Sequence, residues 1–329
     1  MKPIFKIEAD DKDITDLLST RLISLNISDE TGLVSDKAEI LLDNRDNILD
    51  IPPRGTTLKI YLGYDEKSLS LMGSFIVDNI SLSSPPSKLR IIAKASYGND
   101  KNLSNKIRSP KSRSWHEYSL VGIISKIATE HKFESLIDEY FNQIYINHID
   151  QTNESDLSFL VSLSQNYDAL IKFITGKLVF AKKSQALSIS GKELPTTEIF
   201  ENQIENWRLD ILDRGKFGKV IAKYHDFATG EEKQVFAGND DPAYEIRFTF
   251  TDEARASEAA KSKLAEFERG ITKLELSLAG NPNLSAEKPI TIPDIRYLKD
   301  KNWIINSVNH ELSDQGYKST INKIGRAHV

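Results

Sequence analysis

Phe75-Ile76-Val77-Asp78-Asn79-Ile80 and Trp303-Ile304-Ile305-Asn306-Ser307-Val308 follow one pattern: an aromatic residue, isoleucine, an aliphatic residue, two polar residues, an aliphatic residue. A turn and a short apolar strand precede each copy (residues 58–62 and 290–292), and a turn and an alternating strand follow it (89–95 and 317–324). Antiparallel β proteins produce such matches by chance or by internal duplication. The second origin would give two related β modules at the two ends of one chain.

The flanking sequence supports β modules on both sides. Ile4, Phe5 and Ile7 open a first strand, and residues 22–27 and 38–42 supply two more. The turn formers Asp43-Asn44-Arg45-Asp46-Asn47 end the third, and Pro52-Pro53-Arg54-Gly55 precede a fourth at 58–64. Residues 73–82 and 89–95, separated by Ser83-Ser84-Pro85-Pro86, complete the set. Strands resume at 207–212, 218–224, 234–237 and 244–250, then at 271–278, 289–292, 302–312 and 317–324. Between 252 and 269 the composition turns to Ala, Glu and Lys, which predicts a helix with Thr251 or Asp252 as cap and Gly270 as stop.

The middle differs. Apolar residues at helical spacing predict helices at 120–128 and 153–164, the second capped by Asn153 with Glu154 and Asp156 near the positive end of the helix dipole. Residues 169–174, Thr175-Gly176 and 178–181 read as a two-residue hairpin. The expected fold is α+β, mainly β. A first antiparallel β-barrel domain (1–110) and a second (191–324, with the helix 252–269 inserted) flank a small mixed α+β domain (111–190). Residues 325–329 read as a non-native tail.

Composition bounds the function classes. Of 329 residues, 39% are hydrophobic and 28% charged, which is ordinary for a soluble globular protein, and no run approaches the ~20 apolar residues of a membrane span. Cysteine is absent, so neither disulfides nor thiolate metal sites hold the fold. A net charge of -5 argues against general nucleic-acid binding. Against that background Lys88, Arg90, Lys94, Lys101, Lys106, Arg108, Lys111 and Arg113 cluster around a single acid, Asp100. They read either as a solvated loop face or as a patch meeting an acidic partner or passing nucleic acid.

Catalytic patterns do not assemble. His116, His131, His148, His225, His310 and His328 include no pair at zinc-helix spacing. The carboxylates at Asp150, Glu154 and Asp156, and at Glu134, Asp138 and Glu139, lie on predicted helix starts or loops, where solvation and the dipole account for them. Nucleophile-elbow, Walker and dinucleotide-binding signatures are missing. Gly215-Lys216-Phe217-Gly218 lacks the spacing and the terminal Lys-Ser/Thr of a phosphate loop, and residues 43–47 lack the Gly and distal Glu of a calcium loop. Neither a catalytic residue, a cofactor nor a metal is expected.

Ile14-Thr15, Arg21 to Leu25, Asp29-Glu30-Thr31-Gly32 with Ser35-Asp36, Leu42 to Asp46, Leu62-Gly63-Tyr64 and Met72 to Phe75 form an ordered series, and its most telling members are Ser112-Arg113-Ser114-Trp115-His116 and the run from Asp150 to Leu160. In order and spacing these stretches resemble the phage late-control protein D family, the baseplate hub proteins of contractile tails, which are similar to the N-terminal hub region of type VI secretion spike proteins. The resemblance implies a homotrimer in which each chain supplies two similar barrels. Six barrels would form a ring facing a sixfold tail tube on one side and a trimeric spike on the other. Implied partners are the tube, spike and tape-measure proteins, with DNA passing the lumen without specific recognition and no membrane involved. The implied location is the virion tail, after assembly in the host cytoplasm. The eight basic residues become candidate lumen or partner contacts. The alternatives are a tail-associated cell-wall hydrolase and a nucleic-acid-binding regulator.

Overall fold

The computed structural model describes residues 2–32, 36–53, 55–95, 106–174, 176–183, 195–211, 217–270, 272–299 and 303–325. The N-terminal part comprises β1 (Ile4–Ala9), β2 (Lys12–Asp13), α1 (Thr15–Ser19), β3 (Leu22–Glu30), β4 (Lys37–Asp43), β5 (Thr57–Gly63), β6 (Ser70–Ser83) and β7 (Lys88–Ala95). A middle part follows with β8 (Pro110–Ser119), α2 (Leu120–Glu130), β9 (Glu134–Ile137), β10 (Tyr145–Ser155), α3 (Asp156–Asn166), β11 (Ala169–Ile174) and β12 (Lys177–Lys182). The C-terminal part holds β13 (Thr197–Glu198), β14 (Ile204–Ile211), β15 (Lys219–Asp226), β16 (Glu231–Gly238), β17 (Ala243–Phe250), α4 (Glu253–Gly270), β18 (Thr272–Ala279), β19 (Pro289–Thr291), β20 (Trp303–Ser313) and β21 (Gly316–Gly325).

The two ends of the chain build the same object twice. In the first module the strands run β5-β6-β7-β4-β3; in the second they run β19-β20-β21-β18-β14, antiparallel throughout. Registers agree position for position. Phe75 faces Leu58 and Ile76 faces Thr57; in the second copy Trp303 faces Ile290 and Ile304 faces Pro289. Each long strand is then bulged at the same place, between Val77 and Asn79 in β6 and between Ile305 and Ser307 in β20. A second matched bulge separates Leu22 from Ser24 in β3 and Ile204 from Asn206 in β14. The main-chain bonds at the bulge repeat too: Val77 N donates to Thr56 O and its own O accepts from Gly55 N, as Ile305 does with Lys288 and Glu287. Gly55 (φ 81) and Glu287 (φ 73) share the left-handed conformation. Of the two origins open for the repeated pattern, duplication is the one this agreement supports.

The bulge explains the two polar residues in the middle of the pattern. One extra residue shifts the alternation by one, so the inward set passes from Phe75 and Val77 to Ile80, and from Trp303 and Ile305 to Val308, His310 and Leu312. A strand with unbroken alternation would have turned one of these apolar sets to solvent.

The modules fuse through a β3–β20 pairing that spans Ser24–Glu30 and Ser307–Ser313. The result is one 13-stranded open sheet. Leu312 and Tyr317 of the second module join the apolar core of the first, together with Leu25, Ile40, Phe75 and Val77. The chain is mainly β with added helices, as expected. The two barrels are not: among the described residues the sheet does not close, and each module contributes five matched strands to it, with β1 and β2 added beyond β5 in the first and the short β13 beside β19 in the second.

The middle part has its own core. Ser119 caps α2, its Oγ accepting from Gly122 N, and Ile123, Ile124 and Ile127 turn inward against Trp115, Phe141, Phe159 and Phe180. Full burial of each such side chain is worth ~1.5–3 kcal/mol. Helix α3 starts two residues later than predicted: Ser155 is the cap, accepting from Ser158 N, and Asn153 lies in the β10 bulge with φ 48. The hairpin β11–β12 forms as read.

The second module contains more than an inserted helix. Strands β15 to β17 form a separate three-stranded sheet in the order β16-β15-β17, covered by α4 through Ala256, Ala259 and Ala260. The strands were legible from alternation; their membership of a separate sheet was not.

Candidate functional site

Of the eight basic residues, Lys88, Arg90 and Lys94 lie on β7, and Lys106 and Arg108 sit exposed ahead of β8. Lys101 lies outside the described residues, and Lys111 and Arg113 are on β8, a strand where a loop was expected. Arg90 pairs with Glu39 (2.7 Å) and Lys94 with Asp78 (2.6 Å). Lys88, Lys106 and Arg108 make no ion pair among the described residues.

Lys111 and Arg113 point the same way because strand residues two apart share a face. That face meets Asp156 at the first position of α3, whose side chain is fully buried. Lys111 Nζ lies 2.6 Å from one carboxylate oxygen and Arg113 Nη2 2.6 Å from the other. His131 Nε2 is at 2.7 Å, and Gln151 Nε2 donates at 2.9 Å. Glu130 closes the set, taking Lys111 at 3.0 Å and Arg113 at 2.8 Å. Arg113 also stacks over Trp115, 4.4 Å from the ring centroid. Burial works to raise the Asp156 pKa, but the bonds from Lys111, His131 and Gln151 and the Arg113 charge hold it below the usual carboxylate range. Helix-dipole and solvation effects, the explanation suggested by sequence, do not suffice for a carboxylate with no exposure. Its partners come from β8, α2 and β10.

Glu130, His131 and Asp156 offer ligand atoms within 4.8 Å of one another, the one such grouping among the described residues. Two side-chain cations already occupy their oxygens, and a divalent ion would have to displace both. His116 has a partner the sequence did not indicate: its Nδ1 lies 3.1 Å from Nδ1 of His148, and His148 Nε2 lies 3.1 Å from Asp150. Ser114 Oγ donates to Asp150 rather than to a histidine, on an exposed ribbon, so no nucleophile–base pair forms there.

A second charged cluster ties three parts of the chain together. Lys172 Nζ, on β11, reaches Asp29 (3.0 Å) and the main-chain O of Glu30 (3.3 Å) on β3, and Asp36 (3.5 Å) just before β4. Asp29 also accepts from Ala286 N (2.8 Å) in the loop before β19. Burial pushes both Asp36 and Glu287 up to about 6, while the surrounding carboxylates hold Lys172 above its ordinary value despite its own burial. This junction fixes the middle part to the seam between the modules.

The remaining chemistry is that of open sheet edges. The outer side of β14 and the far half of β6 have no strand partner among the described residues.

A doubled open sheet with a compact α+β unit at its seam defines the class of fold, a β-rich protein built from two matched modules. The model of the family described as phage tail baseplate hub (GPD) matches residues 108–316. The chain belongs to that family. Membership makes it a hub component of the tail baseplate and places it in the virion tail. It is 27% identical over 360 residues to the probable baseplate hub protein of Escherichia phage 186, covering 96% of this chain and 91% of that protein. Among solved structures, the tail protein of Neisseria meningitidis MC58 superposes with a TM-score of 0.73 at 11% identity over 98% of this chain and 96% of that one. The E. coli c3393 protein, a component of the type VI secretion system, gives 0.57 at 11% identity over 94% and 74%. The fold likeness extends to type VI components, as expected.

Proposed function

We propose that this chain acts as a non-enzymatic assembly part, three copies closing into a ring that joins the tail tube to the central spike. The observation that carries the reading is the duplication. Two modules with matched strand order, register and bulges let three chains offer six near-equivalent positions to a sixfold tube while keeping threefold symmetry for a spike. Closure would complete, between chains, the barrels that a single chain leaves open, and would remove its exposed edges. The reading assigns residues 1–110 to a first domain, 111–190 to a middle domain and 191–324 to a second sheet domain. Lys88, Lys106 and Arg108 are the proposed lumen or partner contacts; Lys111 and Arg113 serve Asp156 instead.

Light scattering tests the ring. The expected mass is three times the 37.1 kDa chain. A strict monomer at micromolar concentration with the spike protein present overturns the reading.

A further inference from the structure

We propose that neighbouring chains join by repeating, between molecules, the strand junction that each chain already makes within itself: β14 of one chain lies antiparallel along the free edge of β6, residues 78–83, of the next. This rests on the ring reading and names its interface.

The comparison of the two modules carries the inference. In the second module β20 gives residues 303–305 to β19 and the loop before it. Past the bulge at Asn306, the same side of the strand passes to β3. In the first module β6 gives residues up to Val77 to β5 and the loop before it. Past the matching bulge at Asp78, that side meets no strand among the described residues. The counterpart of β3 in the second module is β14, whose outer side is likewise open. Among the described residues each chain therefore carries one filled and one unfilled copy of the same joint.

Exposure separates the two copies. At the filled joint His310 and Leu25 are both 0% exposed. Their counterparts at the open edges are Leu82 at 54% and Trp207 at 37%, and Ile211, at the position of Asp29, is 68% exposed. A groove of about 350 Å³ runs beside Leu82, lined by Asn44, Asn47, Leu49 and Ile51 of the loop after β4. In the second module the corresponding loop closes over the joint: Leu284 O lies 3.2 Å from His310 Nε2, and Ala286 N donates to Asp29.

Transferring the register gives a definite interface. Val308 opposite Asp29 becomes Ile80 opposite Ile211 of the next chain, and His310 opposite Ile27 becomes Leu82 opposite Leu209. Asn309 opposite Ser28 becomes Ser81 opposite Asp210. Apolar pairs fall on one face and the polar pair on the other, a sorting that a slip of one residue destroys. The two edges differ, so the contact is head-to-tail and ends only by closing into a ring.

The chain has no cysteine, which makes the test direct. Opposed strand residues lie within disulfide reach. Under mild oxidation Leu82→Cys/Leu209→Cys is expected to give a covalent ladder that ends at the closed oligomer. Leu82→Cys/Arg208→Cys, with its second thiol on the other face, should not. Leu82→Lys alters a side chain exposed in the single chain and is expected to shift the light-scattering mass to the monomer with unchanged circular dichroism. If an oligomer of native mass forms while the Leu82/Leu209 pair links no faster than the Leu82/Arg208 pair, or Leu82→Lys leaves that mass intact, the proposed joint is wrong and the ring reading stands. A monomer with the spike present removes both.

Discussion

Replacing Asp156 by alanine removes the centre of the charged cluster at the start of α3. Four side chains donate to or pair with this carboxylate at 2.6–2.9 Å: Lys111, Arg113, His131 and Gln151. Breaking a buried ion pair from one side costs ~3–5 kcal/mol because the abandoned charges stay unpaired. Here Lys111 and Arg113 keep Glu130 and reach water with side chains 35% and 22% exposed, which selects the lower end, about 3 kcal/mol. In amide hydrogen exchange this is a loss of more than about a hundredfold in protection, read in β8 and β10, with the sheet of the two modules unaffected. Asp156→Asn, which keeps one acceptor oxygen among these donors, should cost less than Asp156→Ala. The pH dependence has a fixed sign. The folded pKa lies below the unfolded one, ~3.9, so the stabilisation is present above pH ~4 and disappears as the pH falls through the folded value. The gap between wild type and Asp156→Asn should narrow in the same direction. Protection of β8 and β10 in Asp156→Ala within threefold of wild type would refute the assignment of the cluster as the clamp between strand and helix.

At the Lys172 junction the sign is opposite. Glu287 titrates at about 6 when folded, so its contribution is largest below pH ~4 and is lost as the pH rises through 6. Glu287→Gln should therefore stabilise the protein at pH 7.5 by about 1 kcal/mol and change little at pH 4.5, measured by urea unfolding; a loss at pH 7.5 contradicts the burial argument. Gly280→Ala should destabilise by ~1–3 kcal/mol, because the added Cβ would fall 2.1 Å from the Tyr317 ring; an unchanged melting temperature shows that the ring moves aside freely.

What the sequence disclosed follows from what alternation records. The Phe75 and Trp303 segments announced the strands and their kinship, while the two adjacent polar residues inside each acquire their meaning, a bulge, only from the structure. The helices over Ile123 and Phe159 were equally legible from their spacing. Strand pairing between distant segments leaves no such mark, so the β3–β20 seam, the open edges and the separate β15–β17 sheet were not recoverable. The segment around Lys111 and Arg113 misled for a related reason. Its alternate residues are basic and their inward partner is a carboxylate, so hydrophobicity carries no period, and a half-exposed strand reads like a solvated loop. Asp156 reads in the sequence as a helix-start acid; only the fold brings residues 111, 113 and 131 to it.

The two modules are alike in their sheets but unequal in what hangs from them. Only the second carries the β15–β17 sheet and α4 between its first two strands, residues 219–270. Any ring laid end to end from such chains thus has plain and ornamented sectors by turns. A surface reading only the sheets finds one repeat, and a surface reading the ornaments finds a period twice as long, written into a single gene by letting one twin acquire what the other lacks.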